Sequence, residues 1–455
     1  MKSRFIYTFM IVLMAASLSS CSREDIRTWT DPDNTSVVPV TKGNRVIYEV
    51  NLWSYSEDHS FLALEKDIPR LKELGVDILW LMPIHPRGEV NKSGEIGSPY
   101  GVRDYLEVNP AYGTKDDFRS LVNTAHSNGM ELWIDWVANH TSWDNVWVKD
   151  HLDFYAEKDG ERPYSPPGWH DVIQLDHGNS ELMETMGDAM AYWVREFDID
   201  GFRCDAGDRV PLEFWKGLRA KVDAVKRVTW LNEGWDTDLL EVFDYDYAWS
   251  FADALAAFGS DKDVSALRNA CLDLHRDPAY EDKGRMVYLT NHDLNAFNGT
   301  EFHRFSDNVL ALTVLVYTVF DLPLIYNGQE AGIDQSINFS EDMVIDWTLT
   351  NKRWTTLHKK LTLLKRTHPA LEDGAERGDI YFWSVSDPNL LVFSRRRGSS
   401  EVLVALNLGD YAVQCRFKGT HPEGEWKDWF RNTWTEIRAG GFPLAENGYA
   451  VFVKD

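Results

Sequence analysis

The sequence predicts an α/β fold: a (β/α)8 TIM barrel with a small subdomain inserted after strand 3 and an antiparallel β-domain at the C-terminal end. Three observations predict this fold. From residue 45 to about residue 368, short apolar runs alternate with longer amphipathic stretches, which is typical of repeated β-α units. A segment rich in Trp, Pro and Asp interrupts the third unit. Beyond residue 370, short strands separated by turn residues replace the alternation.

The eight barrel strands are runs that are apolar nearly throughout, as expected of strands buried on both faces. In order they are RVIYEVNLW, VDILWLMP, MELWIDWV, DGFRCDA, VTWLNEG, a weaker VFDYDYAW, RMVYLTN and LPLIYNG. Helix candidates lie between them, such as ALEKDIPRLKELG, which ends at Gly75. Eight such units match the barrel fold. An open doubly wound sheet is the alternative, but no Gly-rich phosphate loop follows the first strand.

The N-terminal 20 residues carry two cationic residues, an apolar run too short to span a bilayer comfortably, and then LSSC. This segment resembles a bacterial lipoprotein signal peptide, which implies cleavage before Cys21 and attachment of lipid to Cys21. A plain secretory signal is the alternative. The resemblance implies a protein anchored in a membrane of the cell envelope, facing the periplasm or the cell exterior.

The domain boundaries follow from these patterns. Residues 21–44 form a polar tether, and residues 45–370 form the barrel, including the inserted subdomain 141–176. Residues 371–455 form a C-terminal β-sandwich domain, predicted from four strand-like runs: DIYFWSVSD, NLLVFSRRR, SEVLVALNLG and YAVQCRFKG.

Composition narrows the class of ligand. A formal net charge of −25 argues against nucleic acid as a partner, because the chain repels polyanions at long range. Nineteen tryptophans suit both core packing and stacking on the apolar faces of sugars. The three cysteines beyond Cys21 are too widely spaced to form a metal cluster. A neutral or cationic ligand is therefore favoured.

Ionisable residues concentrate where the predicted strands end, which is the working face of such barrels. DWVANH ends the third strand, GFRCD the fourth, WLNEG the fifth and LTNHD the seventh. Because side chains alternate along a strand, Arg203 and Asp205 face one side and Cys204 the other. Carboxylates and histidines from four strand ends are therefore expected to converge on one mouth of the barrel.

These four motifs, in this order, resemble those of the α-amylase family of retaining α-glucan hydrolases and transglycosylases, over residues 45–455. The resemblance implies that Asp205 is the nucleophile, Glu233 the general acid and base, and Asp293 the carboxylate that binds the distorted sugar. It also implies a substrate-binding set: Tyr100 of SPYGVRDY as a stacking platform, Arg203 holding the nucleophile ionised, and His140 and His292 on sugar hydroxyls.

The chemistry requires such a set independently. Retaining cleavage needs one ionised carboxylate and one protonated acid, roughly 5 Å apart. A guanidinium beside Asp205 lowers the pKa of that carboxyl, and desolvation by the flanking Trp230 and Trp235 would raise the pKa of Glu233.

No cofactor is required, and calcium is possible. Many family members follow the nucleophile with a Lys-His pair that helps to bind calcium. This chain has Asp208 and Arg209 there, so Asn139 remains but half of the usual site is missing.

The favoured function is hydrolysis of α-1,4 bonds in starch or maltooligosaccharides. If Trp143, Trp147 and Trp169 form one wall of an open groove, long chains can bind across it and the enzyme would cleave their internal bonds. One alternative is an exo-acting α-glucosidase or a 4-α-glucanotransferase on the same scaffold. An alternative of another class is a non-catalytic surface glycan-binding protein, which the intact carboxylates disfavour.

Overall fold

The structure is a computed structural model that describes residues 43–454. The expected signal peptide, Cys21 and the tether up to residue 42 lie outside the described residues. Within the described part, eight strands form a closed barrel, and a six-stranded antiparallel sheet follows it. The predicted fold class is thereby confirmed.

Eighteen strands and eleven α-helices lie within residues 43–454. The strands are β1 Ile47–Val50, β2 Ile78–Leu81, β3 Glu131–Val137, β4 His140–Ser142, β5 Val172–Gln174, β6 Gly201–Asp205, β7 Thr229–Asn232, β8 Tyr245–Tyr247, β9 Gly284–Val287, β10 Leu322–Tyr326, β11 Asp379–Phe382, β12 Leu390–Arg397, β13 Ser400–Asn407, β14 Val413–Cys415, β15 Glu425–Asp428, β16 Thr433–Glu436, β17 Phe442–Leu444 and β18 Tyr449–Lys454. The helices are α1 Leu52–Tyr55, α2 Phe61–Leu74, α3 Lys115–Ser127, α4 Trp147–Asp150, α5 Ser180–Phe197, α6 Leu212–Asp223, α7 Trp249–Asp261, α8 Val264–Arg276, α9 Glu301–Phe305, α10 Val309–Val319 and α11 Lys352–Thr367.

The barrel runs β1-β2-β3-β6-β7-β8-β9-β10, and β10 pairs in parallel with β1 to close it. Strand residues alternate between two apolar layers, because successive side chains point to opposite faces. Trp80, Trp133 and Leu231 belong to the layer inside the barrel. Leu79, Leu132 and Phe202 belong to the layer under the helices. All six are fully buried, which accounts for the apolar runs of the sequence.

Helix α2 shows how the sequence sets the helix boundaries. The Ser60 hydroxyl accepts a hydrogen bond from the Ala63 amide and caps the first turn. The helix ends at Gly75, whose φ of 96° lies in the left-handed region that glycine adopts without strain. None of the helices within residues 43–454 combines the length and the apolar character that a membrane crossing requires.

The inserted subdomain and the C-terminal domain lie where the alternation of β-type and helical segments in the sequence is interrupted. Strands β4 and β5 pair antiparallel, with His140 opposite Gln174, and bracket the inserted subdomain. The C-terminal strands form a sheet of order β11-β12-β13-β18-β15-β16 and a second pair, β14-β17. An apolar core containing Leu403, Trp426 and Phe452 fills the space between these sheets. The inserted subdomain therefore stands beside the strand ends, over the mouth of the barrel.

Candidate active site

A cavity of about 290 Å³ opens at the C-terminal ends of the barrel strands. Six of the seven residues expected at the site line it: Tyr100, His140, Asp205, Glu233, His292 and Asp293. The seventh, Arg203, is fully buried beneath them. A larger cavity of about 770 Å³ borders α2 and α11, but its lining has one carboxylate, Asp67, which is paired with Arg70. The smaller cavity is therefore the candidate active site.

Arg203 is the centre of the charged network below the cavity. Its Nη1 contacts Asp135 at 2.9 Å and Asp205 Oδ1 at 3.1 Å, and its Nη2 lies 2.9 Å from Glu233 Oε2. Its Nε donates to the Tyr247 hydroxyl at 3.1 Å. Because Asp205 and Glu233 contact neighbouring nitrogens of one planar guanidinium, their carboxyl groups are held side by side.

The backbone adds a further constraint on Glu233. The Ala206 amide, next to Asp205, donates to Glu233 Oε2 at 2.7 Å. One carboxylate oxygen is thus held by the Ala206 amide and by Arg203. Cys204 points into the apolar layer under the helices, as strand alternation predicts.

Tyr100 and His292 form the second part of the cavity wall. Their rings stack with centroids 5.3 Å apart, and the Tyr100 hydroxyl contacts His292 Nε2 at 2.7 Å and Asp135 at 3.1 Å. His292 Nδ1 lies 2.5 Å from the buried Glu49 on β1. Asp293 lies on the open side, with about 40% of its side chain exposed. Its Oδ2 is 3.4 Å from His292 Nε2.

Burial sets the ionisation of the two central acids. Burial raises the pKa of Glu233 to about 7, although Arg203 opposes the shift. Burial also raises the pKa of Asp205 to about 6, again against Arg203. Arg203 therefore acts in the predicted direction on Asp205, but desolvation outweighs it. Glu233 has the higher pKa of the two, as a general acid requires.

The desolvation of Glu233 does not come from the flanking tryptophans, contrary to the sequence-based expectation. Trp230 points out of the barrel and packs edge-on against Trp215 and Phe243 under the helices. Trp235 is 71% exposed. Strand alternation explains the direction of Trp230: its neighbour on β7, Leu231, points into the barrel, so Trp230 points outward. Glu233 loses water because it is enclosed by the charged network and the cavity wall.

The two histidines differ in charge. Burial lowers the pKa of His140 to about 3, so its ring is neutral at neutral pH. Burial also opposes charge on His292, but Asp293 and Glu49 outweigh it and raise its pKa to about 9. His292 therefore carries a proton on each ring nitrogen, whereas His140 carries a single ring proton.

The positions at which the resemblance implies a calcium site make contacts within the protein. Asn139 Oδ1 and the Asn139 backbone oxygen both accept hydrogen bonds from Gln174. Asp208 accepts from the amides of Trp235 and Asp236, and the Arg209 guanidinium lies 4.5 Å from the centre of the Trp169 ring. Across residues 43–454, no group of three or more His, Cys, Asp or Glu converges to hold a metal ion.

Of the three tryptophans expected to wall a groove, one reaches the cavity. Trp169 lines it and meets the His140 ring edge-on at 5.2 Å. Trp147 instead stacks on Tyr105 at 4.8 Å, and Trp143 donates to the His170 carbonyl while packing on the core. Trp143 and Trp147 do not line this cavity, and both are partly buried and pack against the core.

Several site residues were not predicted from the sequence. Glu49 lies in the apolar strand β1, and its being the one charged residue there was the only indication of a role. Tyr247 lies on the weak sixth strand and bonds Arg203. Phe297 and Phe339 line the cavity from the loops that follow β9 and β10. Loop residues carry no periodic signal, so only the structure brings them to the site.

Comparison with known proteins agrees with this geometry. The family model described as alpha amylase, catalytic domain, matches residues 64–362. A cyclomaltodextrinase from Geobacillus thermopakistaniensis is 26% identical over 374 residues, covering 76% of this chain and 61% of that protein. A maltogenic α-amylase from Bacillus acidopullulyticus is 24% identical, and the match covers 76% of this chain and 62% of that protein. This chain thus spans less than two thirds of the length of these curated relatives.

Two solved structures match nearly end to end. A maltogenic α-amylase from Thermotoga neapolitana is 28% identical, with a TM-score of 0.80, covering 90% of this chain and 98% of that one. An α-amylase from Lactobacillus plantarum is 27% identical, with a TM-score of 0.81 and the same coverage. Since the family model covers well over half of the chain, this protein belongs to the α-amylase catalytic-domain family.

Proposed function

We propose that this protein is a retaining glycoside hydrolase that cleaves α-1,4-glucosidic bonds in starch or maltooligosaccharides. One observation carries the proposal: a single buried guanidinium, Arg203, contacts both Asp205 and Glu233 at the floor of a cavity at the barrel mouth. Retaining glycosidases need two carboxyl groups about 5 Å apart, one ionised and one protonated. A pair on adjacent nitrogens of one guanidinium, with unequal pKa values, supports that assignment.

In the first step, Asp205 attacks the anomeric carbon while Glu233 donates its proton to the leaving glycosidic oxygen. The bond to the leaving sugar breaks as the bond to Asp205 forms, giving a glycosyl-enzyme. In the second step, Glu233 removes a proton from water, which attacks the same carbon and releases Asp205. The configuration is retained, and the two carboxyl groups carry out both steps without a cofactor.

The remaining residues bind the sugar at the cleavage point. Tyr100 provides an aromatic surface, and its hydroxyl is already held by Asp135 and His292, so the ring is fixed before substrate arrives. The charged His292 and the half-exposed Asp293 offer a donor and an acceptor to sugar hydroxyls. A positive charge develops on the sugar ring in the transition state, and the net negative charge of the three carboxylates favours it.

The α-1,4-glucan class of substrate rests on the relatives and on the cavity. The matched relatives are named as cyclomaltodextrinases and maltogenic α-amylases. The cavity combines polar groups with Trp169, Phe297 and Phe339, and aromatic rings stack on the apolar faces of glucose units. The chain's net charge of −25 also suits a neutral substrate.

The test separates the two acids. With an aryl glycoside whose leaving group needs no acid, Glu233→Gln should accumulate a glycosyl-enzyme that mass spectrometry detects as added sugar mass. Asp205→Asn should accumulate none, because it lacks the nucleophile. On maltooligosaccharides, each variant should lose several orders of magnitude in kcat. Glu401→Gln, on β13 of the C-terminal sheet, is the matched control and should keep wild-type activity.

The same measurements would reveal the alternatives. Retention of more than about a tenth of the activity by either variant would refute the assigned role of that acid. A wild-type protein that binds maltooligosaccharides without hydrolysing them would be a glycan-binding protein. Transfer of sugar to a second maltooligosaccharide in place of water would identify a 4-α-glucanotransferase.

The proposal extends to the location of the protein. The N-terminal segment supports export and attachment of lipid at Cys21, which would anchor the enzyme to a membrane of the cell envelope. There it would face the periplasm or the exterior, where large glucans are encountered. The boundaries 45–370 for the catalytic unit and 371–455 for the C-terminal domain belong to the same proposal.

A further inference from the structure

The turn that follows β6 carries Asp208, whose carboxylate is bonded to the segment that follows β7. Its Oδ2 accepts hydrogen bonds from the Trp235 amide at 2.8 Å and from the Asp236 amide at 3.2 Å. Its Oδ1 accepts from Asn232 Nδ2 at 3.3 Å. Within the described part of the chain, this carboxylate is the only acceptor of the two backbone amides. Asp208 therefore ties together the segments that follow two neighbouring barrel strands.

Each of these two segments carries one of the two central acids of the site. Asp205 is the last residue of β6, and Glu233 directly follows β7. Along the chain, Asn232 precedes Glu233 and Trp235 comes two residues after it. The contacts of Asp208 therefore bracket the acid on both sides.

Two glycines allow the segments to approach each other closely. A Cβ atom at Gly234 would lie 1.9 Å from Asp208 Oδ1, and one at Gly207 would lie 1.8 Å from Asn232 Oδ1. A side chain at either position would force the segments apart. The Gly207 amide also donates to the Glu233 carbonyl at 3.1 Å. The contact between the two segments is thus close, polar and centred on Asp208 and Glu233.

The backbone of the turn is held in a conformation that is unusual for its sequence. Ala206 has a φ of 45° and a ψ of 42°, the left-handed region that non-glycine residues seldom adopt. Its amide donates to Glu233 Oε2 at 2.7 Å. A residue in this region persists where the surrounding contacts hold it. Asp208 supplies such contacts, together with Trp215, whose Nε1 donates to the Gly207 carbonyl at 3.0 Å.

We infer that Asp208 is a positioning residue: by tying the turn after β6 to the segment after β7, it holds Glu233 at the distance from Asp205 that protonation of the leaving oxygen requires. The inference rests on the proposed function for the roles of these two acids. Asp208 itself does not line the cavity, so it acts through Glu233. Loss of its contacts should therefore impair the acid step while leaving both acids in the protein.

The test compares two substrates, both in chelator. The kcat/KM on an aryl glycoside with an activated leaving group depends on attack by Asp205, whereas that on maltooligosaccharides also needs the proton of Glu233. Asp208→Leu keeps a similar volume but accepts no hydrogen bond. It should lower kcat/KM on maltooligosaccharides about 10- to 100-fold and that on the aryl glycoside less than about threefold. A general loss of packing would lower both values equally.

Three further variants separate positioning from a merely structural role. Asp208→Asn keeps a side-chain oxygen for the two amides and should retain most of both kcat/KM values. Gly234→Ala forces the segments apart without removing a donor or an acceptor; it should reproduce the selective loss, and it decides the matter if Asp208→Leu does not fold. Asp263→Ala is the matched control, because that carboxylate also accepts from two consecutive amides, those of Ser265 and Ala266. It should lower the melting temperature and leave both kcat/KM values unchanged.

Hydrogen exchange measures the tie directly, without substrate. Mass spectrometry of peptides that cover the Trp235 and Asp236 amides should show protection in wild type and faster exchange in Asp208→Leu. Unchanged exchange, or an equal loss of kcat/KM on both substrates, would overturn the inference. Faster exchange with unchanged kinetics would overturn the link to Glu233. A wild-type protein that hydrolyses neither substrate but shows the exchange difference would instead contradict the proposed function, so the two failures are distinguishable.

Discussion

At the scale of single residues, the site concentrates negative charge around one buried cation. Arg203 is shared by Asp135, Asp205 and Glu233, so its positive charge cannot neutralise all three at once. Each of these carboxyl groups therefore has a pKa raised by burial that Arg203 only partly offsets. Retaining a proton in this cluster is favourable, and Glu233, with the highest pKa of the three, is the group that holds it. The deficit of positive charge thus serves the acid step.

The pH dependence of kcat/KM should follow from this pair. Asp205 must be ionised, which requires a pH above about 6, and Glu233 must be protonated, which requires a pH below about 7. A narrow bell with its maximum between these values is expected on maltooligosaccharides, the two limbs belonging to the interacting pair. With an activated aryl glycoside, Glu233→Gln should lose the alkaline limb and keep the acid limb. An alkaline limb that survives this substitution would assign it to another group.

Arg203→Lys tests the shared cation. Lysine keeps the charge, but one ammonium cannot reproduce the planar contacts with three carboxylates. Because Arg203 lowers the pKa of Asp205 against burial, a weaker contact should move the acid limb to higher pH, and misplaced carboxylates should lower kcat by about 100-fold. Arg395→Lys alters an equally buried arginine that bonds carbonyls beneath the C-terminal sheet. That control should lose stability with an unchanged pH profile.

Sequence predicted those residues of the site that follow strand ends in recognisable order. A strand end fixes both the place and the facing direction of a residue, so the sequence predicts Asp205, Glu233 and Asp293 at the barrel mouth. Glu49 was not, because a lone acid within a strand gives no indication of its partner across the barrel. The pKa order was predicted but its cause was not, since the environment of Glu233 comes from residues distant in sequence.

At the scale of elements, the inserted subdomain is tied to the barrel by polar contacts beside the cavity. Gln174 bonds Asn139 in the segment that follows β3, and Arg209, in the segment that follows β6, stacks on Trp169 of the insert. The sequence located the insert by its composition, but the packing of its tryptophans depends on short irregular segments that periodicity does not describe.

Removal of divalent cations should therefore leave stability nearly unchanged. An ion that bound only the folded state would raise the melting temperature in proportion to its occupancy. Here Gln174 already occupies the oxygens of Asn139, so chelator and added calcium should each shift the melting temperature by less than about 2 °C, a small effect for a chain of this size. The measurement is thermal unfolding in chelator, in calcium and in buffer alone. A large drop in chelator that calcium reverses would show that another part of the chain binds the ion.

Trp169→Ala should weaken substrate binding more than it affects folding. The ring lines the cavity and stacks under Arg209, so its loss removes an aromatic surface for a sugar and frees the arginine. We expect KM on maltooligosaccharides to rise about tenfold, the size of a good stacking contact. Trp147→Phe, a change within the insert's core, should lower the melting temperature and leave KM unchanged. Equal KM values for Trp169→Ala and wild type would remove this residue from the binding surface.

At the scale of the whole molecule, the candidate active site lies at one end of the barrel, and we propose that the N-terminal segment fixes the location of the protein. Replacing Cys21 by Ser should yield a protein that incorporates no labelled fatty acid and leaves the membrane fraction, because the acyl chains supply the binding energy. Fractionation of cells and metabolic labelling measure both effects. Glycan hydrolysis by the two forms should be equal. Identical membrane partitioning would point to an uncleaved segment or a partner protein.

The mode of attack on long glucans follows from what surrounds the cavity. Internal bonds reach Asp205 and Glu233 only if substrate can extend past the mouth in both directions. With Trp143 and Trp147 packed in the fold, the aromatic surface on the insert side is Trp169, while Phe297, 63% exposed, lies on the opposite loop after β9. The exposed Phe297 and the partly buried Trp169 come from different loops around the cavity and offer stacking positions for more than one glucose unit.

Soluble starch should therefore lose iodine staining much faster than reducing ends accumulate, and the products should be short maltooligosaccharides with the α configuration retained. Proton NMR of the first products reads the anomeric configuration, and chromatography reads their lengths. Phe297→Ala, which removes an exposed ring from the cavity lining, should slow the loss of iodine colour. Release of glucose alone from the outset, with iodine colour persisting, would mean that the mouth closes around chain ends and that the enzyme is an exo-acting α-glucosidase.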